Sequence, residues 1–419
     1  MSGQFTNRKK LIMLAAAIYE KMPYIKNAES LFSEAEMKGK KYGMKVSGYL
    51  PDAGSVSSGL VASPDKIHEV EVFAWLKNKN TAVEVDLWDE FTNLEDFKKE
   101  ILDKRSGKLA REVQLEVLGE NVYRSCQAVA TSTTGFGLLT DAASALDELA
   151  VDGDVVTFLR PTLHAKIAEG GLSRFIPSEK MKEIYEDNYL GQYAGSAQVE
   201  LAGMPVLDTT GADAAPTISA EVVKDGSGNV IGLKPITAMV TSGSGSLKVG
   251  VPYKVSGLKI VDESGIETEQ DYVVILNSEK QYDADGNETT VTYVPEIRIT
   301  SQGKAYGNPN AWMSAADLAA AASGDTVTLT LGVIDGITIG KKYNVGQTRT
   351  IKSLSFDQYR FSTLPAAKTE DVGTFENITL KAQMGNNLLN GTNLVRVDLP
   401  FCSKLFEPRR SVTIFVEIA

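Results

Sequence analysis

Histidine is almost missing from this 419-residue chain, which carries only His68 and His164. The two lie far apart and neither has a clustered partner, and a lone histidine is the ordinary mark of a structural or surface residue. Cysteine is equally scarce. Cys126 and Cys402 allow one disulfide at most and no framework, and in a cytosolic protein they read as buried, reduced thiols. With so few of both residues, no zinc spacing and no local Ser-His-Asp or Cys-His signature is present. A run of 18 apolar residues is also lacking, which excludes a transmembrane helix. Arg8, Lys9 and Lys10 before Leu11–Ile18 imitate an export signal, but Glu20 and Lys21 break the run and no small-residue cleavage site follows. The segment reads as an amphipathic helix. The chain also has no excess of positive charge. A net −11 excludes a general nucleic-acid binder, which needs a basic field to displace phosphate counterions.

Apolar residues are present in quantity. A 43% share supports a sizeable core and argues against disorder, and the length suits two or three domains. Charge is unevenly placed. Residues 1–50 hold nine basic side chains against four acidic ones, a local +5 that leaves −16 on the remainder. A basic arm can dock on the acidic body of a neighbouring copy, and a solvated helix face accounts for the same charges.

Along the chain, residues 9–37 read as one or two helices interrupted at Pro23. Residues 41–50 alternate like a strand, 51–59 form a glycine- and serine-rich tip, and a second extended segment runs from Val70 to Val85. Together they make a protruding hairpin. Such a hairpin cannot bury both faces alone, so it calls for a partner surface. Residues 92–130 carry the strongest helical signal, with Leu102, Leu109, Val113 and Val117 on one face and Asn93 as the cap. A helix of that length spans roughly 50 Å and would act as a spine. Residues 133–210 alternate in type as an α/β module, with a helix over Ala142–Leu149, a strand over Asp154–Leu159, helices over Pro161–Glu169 and Ser178–Asp187, and a strand over Val206–Asp208.

From about 212 to 310, Val, Thr, Ser and Gly dominate, and turn signals recur at Asp225-Gly226, Gly243–Gly245, Asp262–Gly265 and Asp285-Gly286, with weaker ones at Gly232, Gly250 and Ser256-Gly257. Short strands cut this often imply a small β barrel or sandwich inserted in the module. A short helix over Met313–Ala322 marks the return. Strands follow at Thr326–Leu331, Thr348–Ser355, Tyr359–Thr363, Ile378–Gln383 and Ser411–Ile418, the last tying the C-terminus into a sheet. YDADGNE, 282–288, looks like a calcium loop, but counting from Asp283 puts Glu288 at position six and Val294 at position twelve, where glycine and glutamate are needed. Asp285-Gly286 therefore reads as a hairpin turn. The GSG runs at 226–228 and 243–245 do not open a helix with lysine, so no phosphate-cradling loop is expected. No cofactor and no metal is called for.

The order of parts, with the stretches KRSGKLAREVQLEVLGENVY (104–123), FLRPTLHAKIAEGGLSRFIPSEKMKEIYEDNYLGQYAGSAQVELAGMPVLDTT (158–210), SGSLKVGVPYKVSGLKIV (244–261) and GKAYGNPNAWMSAADLAAA (303–321), resembles the major capsid proteins of tailed phages with the HK-97 fold. Within them it is similar to the phage P-22 coat type with an inserted domain. The resemblance implies an α+β chain divided into a helical arm (1–40), an extended loop (41–90), a spine helix and peripheral domain (91–132), an axial domain (133–211), an inserted β-barrel (212–310) and a return to the axial and peripheral domains (311–419). It further implies a virion shell protein, assembled in the bacterial cytoplasm as pentamers and hexamers of itself with a scaffolding protein and a portal protein. The shell encloses double-stranded DNA without sequence-specific binding and engages no membrane.

The extended loop would lie on a neighbouring subunit, with Lys45, Tyr49, Asp52 and Gly54 as candidate interface residues. The loop 224–234 would meet the adjacent capsomer through Lys224, Asp225 and Lys234. Arg8, Lys9 and Lys10 would carry the arm's contacts, to scaffold or to a neighbouring subunit. The alternatives are an encapsulin-like compartment, a β-rich surface or adhesion protein, and an α/β enzyme with a β accessory domain.

Overall fold

The computed structural model describes residues 2–30, 43–48, 70–86, 104–131, 136–169, 192–193, 196–212, 214–215, 217–224, 226–228, 230–233, 248–262, 266–275, 277–282, 288–293, 299–300, 310–314, 316–317, 322–323, 325–358, 369–387 and 392–418. The chain mixes helices and strands in the α+β manner and divides into two compact units.

The first unit comprises residues 1–46, 73–118 and 354–404. Its centre is a five-stranded sheet in the order Leu354–Asp357, Thr392–Leu405, Ile378–Asn387, Thr369–Phe375, with Lys77–Asp86 also paired to Thr392–Leu405. That last pairing runs antiparallel from Thr392↔Asp86 to Phe401↔Lys77, so a segment near the start of the chain is locked to one near its end. On this sheet lies the N-terminal helix Ser2–Glu20, packed against Thr369–Phe375 and Ile378–Asn387. Leu11, Leu14, Ala15 and Ile18 are its buried face, the i, i+3, i+4, i+7 stripe of an amphipathic helix. The close approach needs Gly373, where an added Cβ would stand 2.5 Å from Leu11 Cβ and 2.8 Å from its carbonyl carbon. Tyr19 meets Phe375 edge-on at 5.8 Å. Pro23 then opens a second short helix, Pro23–Lys26, where the missing N–H costs nothing.

The long helix is Lys104–Asn121, 18 residues or about 27 Å. This shortens the expected spine. Residues 127–131 form a strand, Gln127–Thr131, lying parallel to Ser411–Glu417. Val122, Cys126 and Ala130 continue the four-residue spacing of the helix, but strand pairing takes that segment, a case of tertiary context overriding local pattern. Residues 92–103 and the expected cap Asn93 lie outside the described residues.

The second unit comprises residues 47–72, 119–353 and 405–419. It holds a mixed seven-stranded sheet in the order Gln127–Thr131, Ser411–Glu417, Lys342–Thr350, Val155–Leu159, Ser196–Glu200, Gln192–Tyr193, with Val206–Asp208 also on Lys342–Thr350. Ser411–Glu417 is buried along almost its whole length, as a strand flanked on both edges should be. The C-terminus is thus tied into the sheet. Helix Phe136–Asp147 covers Gln127–Thr131 and Ser411–Glu417, and helix Pro161–Glu169 follows strand Val155–Leu159. Ser178–Asp187 and Tyr359–Thr363 lie outside the described residues.

Between Val206–Asp208 and Lys342–Thr350 the chain builds a separate eight-stranded sheet. Its order is Val230–Leu233, Thr217–Lys224, Thr326–Val333, Pro252–Val261, Ala311–Met313, Ile299–Thr300, with Glu267–Ile275 on Pro252–Val261 and Ala322–Ser323 on Thr326–Val333. This sheet takes in Thr326–Val333, beyond residue 310. Thr326–Val333 pairs with Thr217–Lys224 across five rows and alternates exposed and buried over its first six residues. The expected helix over Met313–Ala322 is narrower. Met313 and Ala322 are strand residues and Ala316 and Asp317 are helical, with Ser314 Oγ accepting from Asp317 N (3.1 Å) as an N-cap. Gly232 and Gly257 are not turns. Both sit inside strands at shifts in register, and Gly257 has a φ of +74° that suits a bulge. A two-stranded hairpin, Asn277–Tyr282 with Glu288–Tyr293, closes at Tyr282↔Glu288, as the Asp285-Gly286 signal requires.

Candidate assembly interface

The second strand of the expected hairpin continues into strand Lys77–Asp86, which belongs to the first unit's sheet. Strand Lys77–Asp86 is fixed by its ten paired rows with Thr392–Leu405 and by the long helix, whose Glu116 carboxylate reaches Lys79 Nζ (2.5 Å) and Lys77 Nζ (3.5 Å). Burial works to raise the Glu116 carboxyl pKa, but the two ammonium groups outweigh it and hold it below the usual range. At Leu76 the chain leaves this sheet. Ala74 and Leu76 are buried, and the strand beyond, Val70–Trp75, pairs only with Gly43–Gly48. The result is a two-stranded ribbon with no third strand among the described residues. Lys45 lies on Gly43–Gly48. Tyr49, Asp52, Gly54 and the rest of the tip lie outside the described residues.

Arg8, Lys9 and Lys10 fall on helix Ser2–Glu20. From Leu11 onward that helix buries a face on its own chain. Lys26 Nζ closes its end, 2.6 Å from Glu20 and 5.2 Å above the Tyr19 ring.

In the insertion, Gly226–Gly228 is a turn between Thr217–Lys224 and Val230–Leu233, and Gly228 takes φ +85°. Lys224 is exposed at its edge and donates to Asp325 Oδ1 (2.6 Å) of the same chain, which holds the Asp325 carboxyl below its usual pKa. Asp225 and Lys234 lie outside the described residues. Of the expected site residues, only Arg8, Lys9, Lys10, Lys45 and Lys224 fall among the described residues.

What sequence reading missed is the fastening of the insertion. Thr209 and Lys341, at its two ends, clasp each other. Thr209 N and Oγ1 donate to Lys341 O (3.0 and 2.8 Å), and Lys341 N donates to Thr209 Oγ1 (3.0 Å). Beside them Asp208 accepts from Thr210 and faces Lys342 (3.3 Å), and these hydrogen bonds lower its pKa to about 2. Deeper in, the buried Arg409 donates to Val261 O (3.0 Å) and Asp262 O (2.5 Å) of the insertion while pairing with Glu407 (3.0 Å). A charged pair two residues apart in a loop gives no periodic signal, so only the fold exposes it.

Among the described residues, the histidine and the two thiols have structural places. His164 is buried, its Nδ1 2.5 Å from Glu200 Oε1. Cys126 and Cys402 are buried free thiols whose pKa burial drives upward. His68 lies outside the described residues. Among the described residues no three His, Cys, Asp or Glu side chains gather as a metal site, and no helix is long and apolar enough to cross a membrane.

No family model and no curated protein matches the chain. Solved structures similar to it include the acid-stable capsid of Helicobacter pylori bacteriophage KHP30, at 9% identity and a TM-score of 0.43 over 94% of this chain and 91% of that one. Another is the capsid of the cyanophage P-SCSP1u, at 8% and 0.42 over 93% and 87%. A third is the mature capsid of bacteriophage PhiM1, at 8% and 0.40 over 93% and 85%. Likenesses this distant carry no argument for function, which has to come from the chain's own elements.

Proposed function

We propose that this chain is the major capsid protein of a tailed bacterial virus, a non-enzymatic subunit that assembles with copies of itself into an icosahedral shell around double-stranded DNA. The observation that carries the reading is the ribbon Gly43–Gly48 with Val70–Trp75. Two strands alone are marginal in water, and an unsatisfied edge invites another chain. A ribbon continuous with Lys77–Asp86 and without a third strand among the described residues suits a surface on a second copy. The order of parts supports the same reading: helical arm, ribbon, long helix, mixed sheet, inserted sheet, return.

In this reading the first unit is the peripheral domain and the second the axial domain of an HK-97-like subunit. The insertion is a small barrel; the contact between Val230–Leu233 and Ile299–Thr300, the two ends of its strand order, supports closure. Lys45, Tyr49, Asp52 and Gly54 meet the neighbouring subunit, and Lys224, Asp225 and Lys234 meet the adjacent capsomer. Arg8, Lys9 and Lys10 meet scaffold or a neighbour, and a scaffolding and a portal protein take part in assembly.

Deleting 52–59 tests the ribbon's role. The expected product is a folded subunit, with the wild-type melting temperature, that assembles poorly. Normal shells from the deletion would refute the interface.

A further inference from the structure

The long helix Lys104–Asn121 buries Leu109, Val113 and Val117 on one face and exposes Arg111, Leu115 and Gly119 on the other. The three exposed residues follow one another at spacings of four, so they form a single ridge along the helix. Leu115 is 36% exposed, an apolar side chain on a solvent face. Gly119 stands in the last turn, although glycine is a poor helix former. An added Cβ there would meet nothing within 4 Å, so no close approach within the chain asks for glycine.

The charge order of the helix is unfavourable as well. Lys108 and Arg111 precede Glu112, Glu116 and Glu120, whereas the macrodipole favours anions near the N-terminus and cations near the C-terminus. Glu116 has its own reason, the two lysines of Lys77–Asp86. An antiparallel copy of the same helix would satisfy the ridge as a whole. With Leu115 on a two-fold axis, it packs against Leu115 of the second copy. Four residues to either side, each Arg111 then falls over Gly119 of the other copy. The missing side chain leaves room there for the guanidinium, at the negative end of the opposing helix. Such a contact is self-complementary, as two-fold symmetry requires. Ridges of four-residue spacing interdigitate at a crossing angle of about −50°, with axes about 8–10 Å apart.

We propose that the ridge Arg111–Leu115–Gly119 is a two-fold interface between copies of this chain. The proposal rests on the capsid reading for the many copies it needs, and it names a self-contact separate from the ribbon. A crossing of two single helices buries far less than the roughly 1,200 Å² of a stable complex. It therefore adds to an assembly held by other contacts and does not hold a dimer alone.

Cysteine cross-linking of the full-length chain tests it. Cys126 and Cys402 are buried, so an introduced surface thiol is the reactive one. Leu115→Cys is expected to give a disulfide-linked dimer in oxidised shells, because Cα atoms on the axis of such a crossing stand about 5 Å apart, within disulfide range. Lys108→Cys, whose two copies would lie roughly 20 Å apart along the helices, is expected to give none. Adding Arg111→Glu or Gly119→Gln to Leu115→Cys should lower the dimer yield several-fold. Gly119→Gln should do so while holding or raising the melting temperature, since glutamine is the better helix former in open space. No dimer from Leu115→Cys in intact shells overturns the proposal, as does a yield that Gly119→Gln leaves unchanged. A cross-link to a protein of another mass overturns it in favour of a different partner. Shell formation is read separately by negative-stain microscopy. Absence of shells from the wild type sinks the capsid reading. The Leu115→Cys cross-link in concentrated soluble chain then decides the pairing, and no dimer there overturns it.

Discussion

A single methyl group at position 373 would strike the backbone of the N-terminal helix. Glycine there sets how closely Leu11 approaches the sheet, and backbone cannot swing aside as a side chain can. Gly373→Ala is expected to cost about 1–3 kcal/mol, the range for overpacking a close contact, seen as a lowered melting temperature with faster amide exchange over 11–18. His164 gives a pH signature at the same scale. Burial lowers its pKa below the ordinary 6.5, against the opposing pull of Glu200. The unfolded chain therefore binds the proton at a higher pH than the folded one. The histidine's contribution is complete above its unfolded pKa and is lost as pH falls through the folded value. Thermal scans from pH 7 to 5 should show a declining melting temperature, and His164→Gln should flatten the decline while lowering stability at pH 7 by about 1 kcal/mol. An identical pH slope in the variant would show that the proton goes elsewhere.

At the scale of elements, the insertion is held by buried polar contacts, and Arg409 is the most exacting of them. Arg409→Met would leave Glu407 with a buried, uncompensated charge and free the Val261 and Asp262 carbonyls. Denaturant unfolding is expected to show a loss of about 3–5 kcal/mol, partly recovered when Glu407→Met is added. This is also the scale at which the sequence was most and least readable. Pro161–Glu169 and Val206–Asp208 fall where proline at the helix start and the alternating strand pattern place them. The C-terminal strand was legible because an uninterrupted apolar run has few homes outside a sheet interior. Gln127–Thr131 was not, since its spacing fits a helix as well as a strand, and its parallel partner lies almost 300 residues away. The reach of this eight-stranded sheet is hard to read from the sequence for a related reason. Met313–Ala322 is alanine-rich and locally helical, yet Thr326–Val333 beyond it completes the inserted sheet through pairing with Thr217–Lys224. Of the candidate site, the ribbon was visible as alternation around a small-residue tip, whereas the Thr209–Lys341 clasp and the Arg409 anchor depend on contacts between distant segments.

At the scale of the whole molecule, the proposed function rests on surfaces. Among the described residues His164, the thiols and the buried charges are engaged in packing, while the ribbon Gly43–Gly48 with Val70–Trp75 has no third strand. In the proposed capsid reading the subunit finds its remaining stability in its neighbours, and association is its defining property. Negative-stain microscopy of the purified chain, with the proposed scaffolding protein added, measures that property directly. The account predicts closed, uniform shells. A chain that stays a stable monomer under all assembly conditions, with a ligand held in a cleft, would contradict it.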